Sequence, residues 1–584
     1  RPKDEPGIQV LLNTTSFSLA QLGERERGGE TTSDFPELWQ RLDVPVLQVI
    51  LSGGGLAQWQ QEWRGLSPRD VAMNVALPEV DGRIISRAVS FKAVQGWNAA
   101  LETEVLNYQP VDDRIQFVAD LAANWAKLRQ ESIGDRKVAL ILANYPTRNG
   151  RLANGVGLDT PASCVEILNA LQQAGYHVEN IPKNDDELIR RLTAGITNDP
   201  ETKGMNPVAQ TLSISAYQAW FDTLPKTVKT QVCQRWGTAQ DSFALPEGIA
   251  ARIAGIQLGN IFVGIQPSRG YDTDPALNYH APDLEPTHDY LAFYQWLRSD
   301  FGTHAIVHVG KHGNLEWLPG KSVALSEDCY PEVAFGAIPH LYPFIVNDPG
   351  EGSQAKRRSQ AVIIDHLTPP MTRAELYGGL QQLEGLIDEY YEAQTLDPSR
   401  LAVIRDRMTA LIQQENLSQE VQAMAGDVDL AQFTPAALIE LITNADRYLC
   451  ELKESQIRDG LHTFGQCPTG RQLRDLIVSI ARHPSPGRVG LTRAIAQAWE
   501  LDFDPLTADP AQLVGDWRGQ PDAQLPTPYT IGDAIDIIEN YAAEQVEQLL
   551  HGSDASDQAE ISAELNWIRD RLLPDLQNTT CCMD

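Results

Sequence analysis

Five short apolar runs constrain this chain most: KVALILANYP (137–146), IFVGIQP (261–267), HAIVHV (304–309), YPFIVN (342–347) and AVIIDHL (361–367). Each is rich in Val and Ile, and a polar stretch follows each one. Continuous apolar runs of this length read as strands buried on both faces. Segments with helical spacing lie between them, such as CVEILNALQQAG, which ends on Gly175. Strands separated by helices imply a mainly parallel sheet whose loops gather at the strands' carboxyl ends. Asn144, Arg148, Gln266, Arg269, His308, His312, Glu316, Asn347 and Asp348 all follow or end these runs, so they are expected to face one cleft.

The flanks read differently from each other. Before residue 135, IQVLLNTTSF and VPVLQVILS are strand runs separated by TSDFPELWQRLD, which has helix-like spacing. DRIQFVADLAANWAKLRQES is an amphipathic helix with apolar positions at Ile115, Val118, Leu121, Ala122 and Trp125. From Thr372 the pattern turns helical, through MTRAELYGGLQQLEGLIDEYYEAQ, PAALIELITNADRYLCELKESQIRDG and IGDAIDIIENYAAEQVEQLL. The expected fold is multi-domain α/β: open, mainly parallel sheets of Rossmann-like or periplasmic-binding-protein-like type, then a mostly helical C-terminal region. The expected boundaries are 1–135, 136–370 (carrying the site) and 371–584, the last truncated at its C-terminus.

Within the third run's exit loop, His308, His312 and Glu316 recur every four residues. That spacing would line one face of a helix. The β-branched run Ala305–Val309 and the breakers Gly310, Gly313 and Pro319 argue instead for a strand end and a loop. Two imidazoles and a carboxylate suit cobalt, zinc, nickel or iron and leave coordination positions open. Any one of the three alone is as often a satisfied polar group. Their combination with Lys311 and a tight glycine loop points to function. Asp159 or Thr160, with Pro161 at the first helical position, forms a further polar-ligand cradle before the Cys164 helix.

No nucleotide loop is present. PGKS at Pro319–Ser322 is preceded by Gly313 with six residues between it and Gly320, where a phosphate loop needs four. LSGGG at Leu51–Gly55 has no partner loop upstream.

HVGKHGNLEWLPGKSVALS and PHLYPFIVNDPGEGSQAKRRSQAVIIDHLTPP closely resemble the large subunits of the cobaltochelatase and magnesium chelatase family, the aerobic cobalt type above all. GLSPRDVAMNVALPEVDGRI, ANYPTRNGRLANGVGLDTPAS, YHAPDLEPTHDYLAFYQWLR and IRDGLHTFG agree, so the similarity runs over nearly the whole chain. The resemblance implies an ATP-dependent chelatase that inserts Co2+, its substrate, into hydrogenobyrinic acid a,c-diamide during cobalamin synthesis. It also implies AAA+ partner subunits that hold ATP and Mg2+, and polypeptide beyond both ends of this chain. His308, His312 and Glu316 would hold the metal, with Glu316 or His312 taking the ring N–H protons. Lys311, Asn314, Lys321, Arg148, Asn144, Arg269, Tyr279, His280, Asn347, Asp348, Glu351, Lys356, Arg357 and Arg358 would bind the ring and its carboxylates. Guanidinium suits bidentate carboxylate binding, though KRR at 356–358 reads equally as a solvated helix face. Two other readings compete: magnesium insertion into protoporphyrin, and a non-catalytic tetrapyrrole-binding or sensing module.

Composition limits the partners. A formal net charge of −31 opposes nucleic acid and anionic membrane surfaces, so an anionic ring needs local basic clusters. No apolar run approaches the roughly 20 residues that cross a bilayer. Seven scattered cysteines without a CxxC read as reduced thiols, and a cytoplasmic location is expected.

Overall fold

The computed structural model describes residues 7–19, 41–144, 152–153, 157–199, 205–245, 248–270, 283–310, 313–346, 349–366, 382, 385–387, 389–390, 400–414, 462–515, 517–518, 527–552 and 559–579. The chain forms two compact units, Arg1–Leu367 and Thr368–Asp584.

The first unit opens with a four-stranded sheet ordered β1 (Leu11–Asn13), β2 (Val46–Ser52), β3 (Ile84–Asn98) and β4 (Thr103–Pro110). The first three are parallel and β4 returns antiparallel to β3. The helix Asp112–Gln130 covers it, burying Phe117, Val118, Leu121, Ala122 and Trp125. Ile115, expected on that buried face, is 43% exposed. Arg114 is buried in its place, its guanidinium 3.8 Å from the Trp59 ring centre. A cation over an indole face makes an inward Arg tolerable.

The central sheet uses all five of the apolar runs. Its strands are β5 (Val138–Leu142), β9 (Gly255–Leu258), β10 (Ile261–Ile265), β11 (Ala305–Val309), β12 (His340–Ile345) and β13 (Val362–His366). The order is β13-β12-β11-β5-β10-β9. All neighbours are parallel except the edge pair β10 and β9. β5 sits between β10 and β11, and each of its five residues is buried. A small antiparallel sheet, β6 (Gln210–Ser213), β8 (Gly248–Ile253) and β7 (Ala244–Leu245), completes the strands.

The helix His288–Trp296 lies within the largest core among the described residues, burying Tyr290, Leu291, Phe293, Tyr294 and Trp296 with Phe262. Its hydroxyls matter below. A boundary at residue 135 separates the two large sheets along the chain but not in space. Trp59 donates to Ala324 O (3.2 Å), and Arg87 pairs with Glu332 (2.7 Å).

The second unit's described elements are helical: Leu401–Gln414, Gly470–Ala481, Leu491–Ala498, Ile531–Leu550, Ala559–Trp567 and Leu573–Thr579. Thr530 and Asp533 form a capping box that starts the 20-residue helix. The helix expected over 435–460, and most of the one over 371–394, lie outside the described residues. Among the described residues no helix is long and apolar enough to cross a membrane.

Candidate functional site

β11 ends on Val309, and the chain then turns at Gly310, which has φ of 95°. A side chain there would meet Thr160 Oγ1 at 2.7 Å, so the turn requires glycine on both counts. The strand-then-loop reading of this segment therefore matches the structure, with His308 in the strand and Glu316 on the loop.

His308 is buried and both its ring nitrogens are engaged. Nε2 lies 2.8 Å from Tyr294 Oη, and Nδ1 lies 2.7 Å from His340 Nε2. His340 Nδ1 reaches Ser359 O at 3.1 Å. A carbonyl can only accept, so His340 Nδ1 carries its proton and Nε2 accepts from His308 Nδ1–H. His308 Nε2 then accepts from Tyr294, whose hydroxyl accepts from Gln266 Nε2 at 2.9 Å. Every donor in this file finds one acceptor, provided both imidazoles are neutral. Burial favours that state, lowering His308 well below the ordinary histidine value and His340 to about 4.

This arrangement corrects the expectation that His308 is a direct metal ligand. Neither of its nitrogens has a lone pair left for a cation. It is a buried anchor instead.

The same framework fixes the loop. Asn314 N donates to Gln266 Oε1 (3.2 Å), its side-chain amide donates to Pro267 O (3.4 Å), and Tyr290 Oη donates to its Oδ1 (2.7 Å). Asn314 is thus buried and structural, where ring contact was expected. Glu316 is 1% exposed. Tyr342 Oη donates to its Oε1 (3.3 Å) and accepts from Gly313 N (2.8 Å).

Most of the expected basic cluster turns out to be committed to protein. Arg358 is buried and donates to the carbonyls of Glu316, Leu318 and Lys321. Arg357 makes two bonds to Glu79, at 3.0 and 2.9 Å. Lys321 Nζ donates to Gln60 O (2.9 Å) and Glu62 O (2.6 Å) beside the Trp59 ring. Arg269 is fully buried and donates to Leu284 O (3.1 Å). The donors named here go to protein acceptors, which stands against the expectation that these four bind the ring.

Lys356 differs. It lines a groove of about 480 Å³ between the start of β3 (Ile84, Ile85), the end of β12 (Ile345) and β13 (Val362, Ile363, Asp365). Glu351 lies in the first turn of the helix Pro349–Arg358. Asn144 Oδ1, just beyond β5, and Thr160 Oγ1 are buried with no hydrogen-bond partner among the described residues. Such atoms suit a polar ligand group. Asp159, not Thr160, caps the helix Thr160–Gln173, accepting from Ala162 N.

Lys311, His312, Arg148, Tyr279, His280, Asn347 and Asp348 lie outside the described residues. Among the described residues no cluster of three or more His, Cys, Asp or Glu side chains is arranged to hold a metal.

Comparison with known proteins places this chain in a family. A family model described as CobN/Magnesium Chelatase matches residues 2–583. The chain belongs to that family. It is 46% identical over 603 residues to the aerobic cobaltochelatase subunit CobN of Sinorhizobium sp, covering 98% of this chain and 45% of that protein. The corresponding subunit of Pseudomonas aeruginosa is 46% identical over 553 residues, covering 93% and 42%. A magnesium-chelatase subunit from Cereibacter sphaeroides is 30% identical over 512 residues, covering 85% and 39%. Among solved structures, the catalytic subunit of cobaltochelatase from Mycobacterium tuberculosis matches with a TM-score of 0.68 at 35% identity, covering 98% of this chain and 46% of that one. The chain thus spans less than half the length of these relatives, and the family resemblance read from the motifs is confirmed.

Proposed function

We propose that this chain supplies the metal-insertion centre of an ATP-dependent cobaltochelatase large subunit that places Co2+ in hydrogenobyrinic acid a,c-diamide. The observation that carries the reading is Glu316: a nearly fully buried carboxylate on a loop held by Gln266, Tyr290, Tyr342 and Arg358. The higher identity to cobalt-type subunits than to the magnesium-type subunit supports cobalt over magnesium.

Insertion breaks two ring N–H bonds, forms metal–nitrogen bonds and releases two protons, while the incoming ion sheds water. Glu316 accepts a ring proton, a role worth ~10²–10⁴-fold when base and proton are aligned. His312 and Glu316 receive the partly dehydrated ion and leave positions open for ring nitrogens. Lys356, at the groove beside β12 and β13, meets a ring carboxylate as a point charge. AAA+ partner subunits hold ATP and Mg2+ and drive the cycle.

The test is reconstitution of the full-length polypeptide with its ATPase partners, ATP, the ring and a panel of divalent ions. ATP-dependent cobalt incorporation into the corrin-type ring is the expected result. Magnesium incorporation into protoporphyrin would move the chain to the other branch of the family. Tight ring binding without transfer of any metal would make it a binding module.

A further inference from the structure

The loop that carries Glu316 is gripped from two separate elements. Arg358 is the last residue of the helix Pro349–Arg358, and it is buried. Its guanidinium spreads over three carbonyls of one loop: Nη1 to Glu316 O, Nη2 to Leu318 O (2.6 Å) and Nε to Lys321 O (3.0 Å). A planar fork with donors on three nitrogens can span carbonyls two and five residues apart. The compact ammonium of lysine cannot.

Tyr342, on β12, holds the other end of the same residue. Its hydroxyl is shared between Gly313 N and Glu316 Oε1. A side chain at Gly313 would come within 2.5 Å of that hydroxyl and 3.2 Å of Glu316 Oε2, so the loop closes onto both groups. The two grips are tied together. Ser359, next to Arg358, accepts from His340, which opens β12 two residues before Tyr342.

We infer that Arg358 and Tyr342 are positioning residues for Glu316, the first fixing its main chain and the second aiming its carboxylate. This rests on the reading of Glu316 as the proton acceptor. It assigns Arg358 a role within the fold, where the motif alone suggested a ring carboxylate.

The experiment uses the full-length polypeptide with its ATPase partners and follows cobalt insertion, with ring binding read from quenching of tryptophan fluorescence. R358K and Y342F are each expected to lower kcat by about 10- to 100-fold, the scale on which small misplacements act. The KM for the ring and its binding constant should stay within about twofold, because neither residue touches the ring. In an E316Q background, adding Y342F should cost nothing further, since there is no carboxylate left to aim.

A rise in ring KM with kcat intact in R358K would make Arg358 a ring ligand and overturn the inference. A further loss from Y342F in the E316Q background would do the same, by showing a general structural role. If R358K does not fold, Y342F removes a single oxygen and carries the test. Full activity of both R358K and Y342F alongside an inactive E316Q sinks this inference alone. Full activity of E316Q sinks the reading beneath it.

Discussion

His308 Nδ1 lies 2.7 Å from His340 Nε2, in a buried file of hydrogen bonds from Gln266 to Ser359 that two neutral imidazoles satisfy and in which a charged ring would be desolvated. Both rings are buried on neighbouring strands of the central sheet, and burial holds both below the ordinary histidine value. The unfolded chain therefore takes up protons first as pH falls, so stability rises with pH in this range. Full stability is expected above about pH 6.5, the unperturbed value, with progressive loss towards pH 4. Urea midpoints of the wild type should fall across that window. His340→Asn, which removes one of the two titrating groups, should flatten the fall while lowering the plateau. A wild-type midpoint that does not move between pH 7 and 5 would contradict the neutral pair.

Gly313 is a second point of sensitivity. A methyl group there collides with the Tyr342 hydroxyl at 2.5 Å and crowds Glu316. Gly313→Ala should lower metal insertion by about 10-fold or more through a displaced carboxylate. Its thermal midpoint should move only a few degrees, because the rest of the loop keeps its bonds. Wild-type turnover in this variant would show that the loop has room the structure denies.

The two large sheets of the first unit are pinned by a buried ion pair. Arg87 Nε meets Glu332 Oε2 at 2.7 Å, and Gln360 donates to the other carboxylate oxygen at 2.8 Å. Removing one partner leaves a buried charge uncompensated, which typically costs about 3–5 kcal/mol. Arg87→Met should therefore destabilise the first unit strongly. The double variant R87M/E332L should recover much of the loss. Equilibrium unfolding of the two proteins checks this, and equal destabilisation by both would refute it.

The fold was legible where burial leaves a continuous signature. β5, β10, β11 and β12 appear as apolar runs because a strand covered on both faces has no polar side, whereas β13, also an apolar run, lies at the sheet edge with Ile364 and Asp365 exposed. β9 and the small antiparallel sheet were not foreseen. Their strands are short, and GIQL carries no pattern that separates an edge strand from a loop.

The site was legible in part. The four-residue recurrence of His308, His312 and Glu316 located the loop, but the partners of His308 are 14 and 32 residues away along the chain. No local spacing encodes Tyr294, His340 or Tyr342. Arg358 was misread for a different reason. A basic triplet looks solvated or ligand-seeking, yet Gly352, Ala355 and Arg358 recur every third residue on the buried side of one helix. That spacing was the available signal. Two small residues in line with an arginine leave room for its side chain to run inward.

The central claim is that a buried carboxylate on the loop after β11 takes ring protons during metal insertion. Its most direct measurement is single-turnover cobalt insertion by Glu316→Gln in the reconstituted complex, with ring affinity measured on the same protein. The substitution keeps size and one hydrogen-bond acceptor but abolishes the base. Insertion should fall by at least about 100-fold, with ring affinity within twofold of wild type. Insertion at the wild-type rate would contradict the account.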